Sequence, residues 1–356
     1  MRCIPCQIKI KSSLKFQLNN ATICNESNEK ESASMSNINE IAKLAEVSRS
    51  TVSRVISNNG YVKEETRKKV QKIIDELDYT PNQNAIYLKN GETKNIGIVS
   101  PDFSDVLTIF LSSFATIAKK YGYQVTLLLT DYDKKSEVEA FQKLKQKQID
   151  GIFHIVRSNE WEVLEKYSKY GPIVTWQRVQ STKIDTIFMD HYEGFKLGLY
   201  HLYEKGHRKI KPFFGIEKSL NTVARVKAWY DFCLEKQLDP KLDDIIYDLH
   251  SSNDGRKIAQ WWVKETTPPT AVLFPTDNVA VGFLAEAREL EIVVPNQVAI
   301  IGFDNTFISE LFNLTTIDYP MHLQAENAFF KLYNQLKHKE LPLHKLEFKL
   351  IERGTT

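Results

Sequence analysis

Val47-Ser48-Arg49-Ser50-Thr51-Val52-Ser53-Arg54-Val55-Ile56 decides how the first folded part of this chain is read. Val52, Val55 and Ile56 recur at i, i+3 and i+4, so a helix through this stretch buries one narrow face. Arg49, Ser50, Ser53 and Arg54 fall off that face. Ser48 stands where a helix cap belongs, its short hydroxyl within reach of the backbone N–H groups of the first turn. Upstream, Asn37-Ile38-Asn39-Glu40 has the spacing of a capping box, and Ile41, Leu44 and Ala45 continue at helical period until Val47 ends the first helix. Downstream, Asn58-Asn59-Gly60 is a turn. A third helix then carries Val70, Ile73, Ile74 and Leu77 on one side and Lys63, Arg67, Lys68, Lys69 and Lys72 on the other. Two short helices, a tight turn and a bracing third are the layout of a helix-turn-helix domain.

Surface arginines are ordinarily just a solvated face. Here forked cationic donors sit beside small hydroxyls on a short helix that is apolar on one side only, which suits guanine edges and phosphates. The first helix and the lysine-rich third are placed to brace it on a DNA backbone.

Bulk properties bound the rest. The chain has 356 residues, 42% hydrophobic and 26% charged, with a formal net charge of +2. That is ordinary globular composition for two or three domains, and any polyanion-binding face must be local. Of the four cysteines, Cys3, Cys6 and Cys24 lie in the polar, Asn/Ser/Lys-rich residues 1–34 and only Cys233 beyond them. A disulfide framework is not indicated, and a reducing, cytoplasmic setting fits. Lys9 and Lys11 interrupt any signal-peptide core, no apolar run approaches a membrane span, and no Cys/His pair completes Cys3-x-x-Cys6 as a metal site. Residues 1–34 are expected to be a disordered extension, with Met35 the expected native start.

From Lys94 the pattern changes. Ile96–Val99, Val125–Thr130, Gly151–Ile155, Ile173–Thr175, Ile210–Phe214, Ala271–Phe274 and Val298–Phe303 read as buried strands, and helical stretches such as Ile109–Tyr121 alternate with them. That predicts a doubly wound α/β architecture, with ligands beyond the strand carboxyl ends. There is no G-x-G-x-x-G or P-loop motif. His154, His191, His207 and His250 are scattered without a nucleophile–base pattern, and read as structural or surface groups. An enzyme is therefore not expected, and no cofactor is implied.

Ile41–Ser48 followed by Thr51-Val52-Ser53-Arg54-Val55 closely resembles the headpiece of LacI/GalR bacterial transcription regulators. So do Val62-x-x-Glu65-Thr66-Arg67-x-x-Val70 and Leu77-Asp78-Tyr79-Thr80-Pro81-Asn82. Tyr79-Thr80-Pro81-Asn82-x-x-Ala85-Ile86, Ile149-Asp150-Gly151 and Tyr170-Gly171-Pro172 look most like the catabolite control protein B branch. The resemblance runs from about Met35 to the C-terminus. It implies an N-terminal all-α helix-turn-helix headpiece with a hinge helix, then a two-lobed α/β doubly wound domain resembling periplasmic binding proteins. The divisions it implies are a headpiece at 35–80, a hinge at 81–93 and an effector-binding and dimerisation domain at 94–356. Within that domain the N-lobe takes about 94–188 and 321–348, and the C-lobe about 189–320 and 349–356.

Carried over by position, Arg49 and Ser50 are base readers, Arg54 a second base or backbone contact, and Thr51 and Ser53 phosphate holders. In the hinge, Asn82 and Ala85 precede Leu88, the apolar lever that wedges into the central base step of an operator. Two positions depart from the pattern. Lys63 replaces the usual Ser at the cap of the third helix, a loss of about 1 kcal/mol, and Gln83 replaces an Arg.

For the effector pocket the resemblance points to Arg225, in Arg225-x-x-Ala228-Trp229, and to Asp304. It also points to Asp277, with Thr276 standing where an Asn is usual. Asp102, Thr108 and Phe110 are placed to line the cleft, with Trp176 or Phe110 as an aromatic wall. Asp277 equally fits a helix cap, and Arg225 with Asp304 an internal ion pair. The expected protein is a homodimeric, carbohydrate- or catabolite-responsive repressor of a near-palindromic DNA operator. Its effector would be a sugar or sugar phosphate, or it would answer to docked serine-phosphorylated HPr. The competing reading, a sugar-binding module without DNA function, predicts an export signal and no headpiece.

Overall fold

The computed structural model describes residues 38–80, 87, 91–103, 105–240 and 244–356. The chain separates into two compact units, Met1–Gln83 and Asn84–Thr356.

The first unit holds α1 (Ile38–Ala45), α2 (Arg49–Ile56) and α3 (Glu64–Glu76). Their inward residues, Ile41, Ala42, Ala45, Val52, Val55, Val70 and Ile74, form one small core. Leu44, expected on that face, is instead 52% exposed, and Ala42 takes its place. Ala42 lies next to Ile41 and Ala45 on the helix surface, whereas Leu44 lies beyond the edge of so narrow a stripe. Ser48 caps α2, its hydroxyl accepting from Thr51 N–H at 3.2 Å. Lys63 at the start of α3 makes no side-chain cap bond. Asn37 lies outside the described residues.

The second unit contains two five-stranded sheets. The first comprises β1 (Asn95–Ser100), β2 (Gln124–Leu129), β3 (Gly151–His154), β4 (Ile173–Thr175) and β5 (Asp185–Thr186), in the order β2-β1-β3-β4-β5. All its pairings are parallel. Helices α4 (Asp105–Lys120), α5 (Lys134–Lys145) and the short α6 (Trp161–Leu164) belong to it. The second sheet comprises β6 (Ile210–Pro212), β7 (Ala271–Leu273), β8 (Ala299–Phe303), β9 (Thr315–Asp318) and β10 (Lys349–Ile351), with β10 antiparallel to β9 and the rest parallel. Around it lie α7 (His191–Glu204), α8 (Leu220–Lys236), α9 (Ser252–Trp262), α10 (Asp277–Glu289) and α11 (Phe307–Leu311).

Successive strand residues feed opposite faces, as the pleat requires. Ile98 joins one core of the first sheet and Val99 the other. Leu273 and Ile301 face one core of the second sheet, Val272 and Ile300 the other. Burial on both sides is why these strands read as continuous apolar runs.

The last long helix, α12 (Met321–Lys337), returns to the first sheet: its Ala325, Ala328 and Phe329 pack with Phe110, Phe114 and Phe153. The chain therefore passes between the lobes at Phe188–Asp190, at Tyr319–Pro320 and again just before β10.

Candidate functional site

In the first unit, α2 offers a polar face. Arg49 and Arg54 are exposed, and neither side chain makes a hydrogen bond or ion pair with another described residue. The hydroxyls of Ser50 and Thr51 converge on Ser48 Oγ at 2.7 and 2.9 Å, which holds the helix start as a cluster of three hydroxyls. Arg54 lines an open depression of about 380 Å³ with Ser48, Thr51, Tyr61, Lys63 and Thr66. Two cations beside several hydroxyls suit a phosphate.

The lysine row of α3 is exposed and loosely paired with neighbouring carboxylates. Lys69 reaches Glu46 at 3.1 Å, Lys68 lies 4.0 Å from Glu64 and Lys72 lies 3.7 Å from Glu76. Arg67 donates to Asn58 Oδ1 at 2.9 Å, tying the turn to the third helix. Asn82, Ala85 and Leu88 lie outside the described residues.

In the second unit a buried polar cluster lies where the lobe crossings meet the second sheet. Arg225, on α8, is 7% exposed. It donates from Nε (3.2 Å) and one terminal nitrogen (2.9 Å) to His191 Nδ1, and from the other to Pro275 O (2.7 Å). The guanidinium lies 3.9 Å over the Phe303 ring and the His191 ring stacks on that phenyl at 5.2 Å, so the two lie edge to edge on one aromatic face. Burial brings the guanidinium down to about 10, which leaves it charged at neutral pH. Burial and the adjacent Arg225 push His191 well below the ordinary imidazole range, so it is neutral. A neutral imidazole that accepts at Nδ1 carries its proton at Nε2.

Asp304 follows β8, 8% exposed, with φ of +110°. Such a backbone is costly for a non-glycine residue and is a mark of sites where geometry outranks stability. Burial, then the nearby charge of Asp277, push its carboxyl well above the usual range, against the pull of Arg225. No ion pair joins Arg225 and Asp304 within 4.0 Å among the described residues, so the expected alternative of a closed pair is corrected. The cation is held by a neutral imidazole and a carbonyl instead. That leaves two guanidinium N–H groups without a hydrogen-bond partner among the described residues.

Asp277 plays a different part from either one expected of it. Thr276 is the cap of α10, accepting from Val279 N–H at 3.3 Å. Asp277, fully buried, accepts from Thr306 N–H (2.7 Å), Thr306 Oγ1 (2.9 Å) and Thr316 Oγ1 (2.5 Å). Its oxygens pin the loop that carries Asp304 rather than facing a cleft. Asn305 completes the clamp, donating to Asp318 at 3.2 Å and accepting from Arg353 at 2.8 Å.

In the first lobe, Phe110 is wholly buried and stacked 4.5 Å from Phe153, so it is core and not the aromatic wall. Its spacing of four from Phe114 places both on the inner face of α4. Trp176 is half-buried, with its ring edge-on to Phe110 at 5.4 Å and to Phe153 at 6.3 Å. Asp102 is exposed and accepts from Tyr132 OH at 3.0 Å; Thr108 is exposed on α4.

The sequence reading took His191 for a structural or surface group and passed over Tyr319 and Phe303. Their only sequence signal is position: Phe303 precedes Asp304, and the other two flank lobe crossings.

The comparisons agree with this anatomy. Residues 37–82 match the model of bacterial regulatory proteins of the lacI family, and residues 199–356 match a periplasmic binding protein-like domain. The HTH-type transcriptional regulator YkvZ of Bacillus subtilis (strain 168) is 33% identical over 322 residues, covering 90% of this chain and 100% of the relative. The chain belongs to the LacI family. Catabolite control protein B of the same organism is 31% identical, over 86% of this chain and 100% of its own length. The crystal structure of the lac repressor dimer bound to operator and an anti-inducer superposes with a TM-score of 0.78 at 23% identity, over 90% of this chain and 98% of that one. This LacI-family member is a DNA-binding transcription regulator and not an enzyme. No helix among the described residues is long and apolar enough to cross a membrane.

Proposed function

We propose that this regulator is a homodimeric, ligand-gated repressor of carbohydrate- or catabolite-responsive genes. One observation carries the reading: a buried cation and a buried acid, not paired with each other, sit beside the segments that join the two lobes. A small molecule that satisfies both groups acts where the lobes are joined, and binding gates the protein only as far as it favours one lobe arrangement. A sugar or sugar phosphate offers hydroxyls, or an anion, to the free guanidinium N–H groups and hydroxyls to Asp304. Arg49 and Ser50 then read base edges, Arg54 a base or phosphate, Thr51 and Ser53 phosphates, in two half-sites related by the dimer axis. Serine-phosphorylated HPr is the alternative effector, which the kinship to catabolite control proteins A and B supports.

The test is selection of bound genomic fragments by the full chain, with and without candidate sugars and phosphorylated HPr. One ligand class should change the recovered set; no recovery of a shared near-palindrome would sink the operator reading. On the recovered operator, Arg49→Ala should cost about 1–3 kcal/mol and relax base preference. An equal loss on random DNA would show that Arg49 touches phosphate only.

Asp304 gives a second expectation. Its folded pKa is raised, so the unfolded chain ionises above the ordinary 3.8 while the folded carboxyl keeps its proton. The native state therefore loses stability as pH rises from about that value toward the folded pKa. Asp304→Asn should be more stable than the parent at neutral pH and indistinguishable near pH 4, by denaturant titration. A variant less stable at pH 7 would mean that the carboxylate is ionised and structurally needed.

A further inference from the structure

Two buried polar atoms at the lobe crossings are complementary and unused. His191 Nε2 has no hydrogen-bond partner, and neither has Gln324 Oε1. His191 opens α7 just past the first crossing, and Gln324 lies in the first turn of α12 just past the second. They are 5% and 0% exposed. Because Arg225 donates to Nδ1, the orphan at Nε2 is a donor, and the orphan on Gln324 is an acceptor. Leaving either unsatisfied in the interior is costly, so a donor and an acceptor orphaned just past adjoining crossings call for an explanation.

The groups around them join all three crossings. Gln324 Nε2 donates to Met189 Sδ at 3.0 Å, two residues before His191, and sulfur is a weak acceptor. The Tyr319 ring meets the His191 ring edge-on at 4.9 Å and stacks on Phe348 at 5.6 Å. Phe348, on the third crossing, also meets His191 at 5.8 Å. The contacts holding His191 against the crossings are thus aromatic, and the side-chain hydrogen bonds of Gln324, to Met189 and to Tyr319, leave Gln324 Oε1 and His191 Nε2 without partners among the described residues. On the other edge the same ring is gripped by the charged Arg225, the residue proposed to meet the ligand.

We propose that His191 and Gln324 are the two halves of a hydrogen bond that forms in the other lobe arrangement, with His191 Nε2–H donating to Gln324 Oε1. The arrangement described here leaves both groups unpaired and therefore stores a penalty that lobe movement relieves. A ligand drawing on Arg225 acts on His191 through the shared bond at Nδ1, and so biases the choice. The inference rests on the proposed gating between lobes, but not on the identity of the ligand.

The test is the distance distribution between nitroxides at Gln142→Cys on α5 and Lys264→Cys beyond α9. It uses the full chain with Cys3, Cys6 and Cys24 changed to Ser, diluted with unlabelled protein so that only distances within one subunit are read. The parent should show two populations. Gln324→Leu and His191→Phe should each lose the one that differs from the present arrangement, and the double variant should match the singles. Gln324→Glu, which keeps an acceptor, should retain both populations, and it carries the test if an apolar variant fails to melt cooperatively. A distribution that neither substitution alters, or effects that add in the double variant, overturns the pairing. Loss of ligand-induced stabilisation in Arg225→Ala alongside unaltered distances would leave the gating reading standing and remove only this bond.

Discussion

Glu137→Ala should unfold the α/β domain more readily than any other single change considered, by about 3–5 kcal/mol, and lower its midpoint by roughly 10 °C. Glu137 sits on α5, fully buried, and its carboxylate is saturated. His154 Nε2 lies 2.9 Å away, Ser158 N–H donates at 2.9 Å, and Asn159 donates from both its backbone and its side chain at 2.7 Å. Removing the acceptor strands two half-buried backbone donors and the buried His154 ring nitrogen, each at a cost of about 1–3 kcal/mol before relaxation, whereas the Asn159 amide keeps Lys134 O at 2.7 Å. What these bonds hold is the loop beyond the carboxyl end of β3, the edge at which doubly wound sheets bind ligands. Burial pushes the Glu137 carboxyl up, but the bonds from His154, Ser158 and Asn159 outweigh it, and the net shift is downward from 4.5. A depressed folded pKa means that the contribution is present above that value and is lost as pH falls below it. Denaturant titration at pH 7 and at pH 4 measures both effects. A loss under about 1 kcal/mol at pH 7 would show that water replaces the carboxylate without strain.

The sequence made the elements legible wherever one period dominated. Val52 and Val55 on α2, and the apolar runs of β1, β3, β7 and β8, each state their burial locally. β9 does not, because Thr315, Thr316 and Asp318 look like loop residues. Both threonines are fully buried only because Thr355, Thr356 and Asp277 take up their hydroxyls and the adjoining amide, from 39 to 41 positions away. The buried polar cluster was half legible for the same reason. Arg225 and Asp304 announce themselves by local motif, whereas His191 becomes a partner of Arg225 only when α7 and α8 pack across 34 residues of separation. Phe110 misled because an aromatic residue shortly after a strand's carboxyl end resembles a pocket wall, and its pairing with Phe153 is a tertiary fact. Asp277 misled because an Asp at a helix start is so often its cap. Here Thr276 one residue earlier does that work, freeing the carboxylate to hold the Asp304 loop.

Arg225→Ala should abolish the small-molecule response while leaving operator binding within about threefold, a change of under 1 kcal/mol. Among the described residues the guanidinium is the one charged donor in the buried cluster, and its two bonds to His191 and one to Pro275 fix its direction without spending all its N–H groups. Alanine removes the donor and also the link from the pocket to His191 at the first lobe crossing. The measurement is a thermal-shift screen of sugars and sugar phosphates on the full chain. A ligand at a hundred times its Kd stabilises the folded state by about 2.7 kcal/mol. That gain should vanish in Arg225→Ala and survive in part in Arg225→Lys, which keeps a cation but loses the planar fork that fits the imidazole edge and the ligand together. Because Arg225 and His191 share the Phe303 face, some loss of basal stability accompanies the alanine change, so the ligand-dependent increment and not the midpoint itself carries the result. A variant that keeps the full increment would place the effector elsewhere on the α/β domain. Phosphorylated HPr on the first lobe would then be the first partner to assay, by its effect on operator affinity in the same variant.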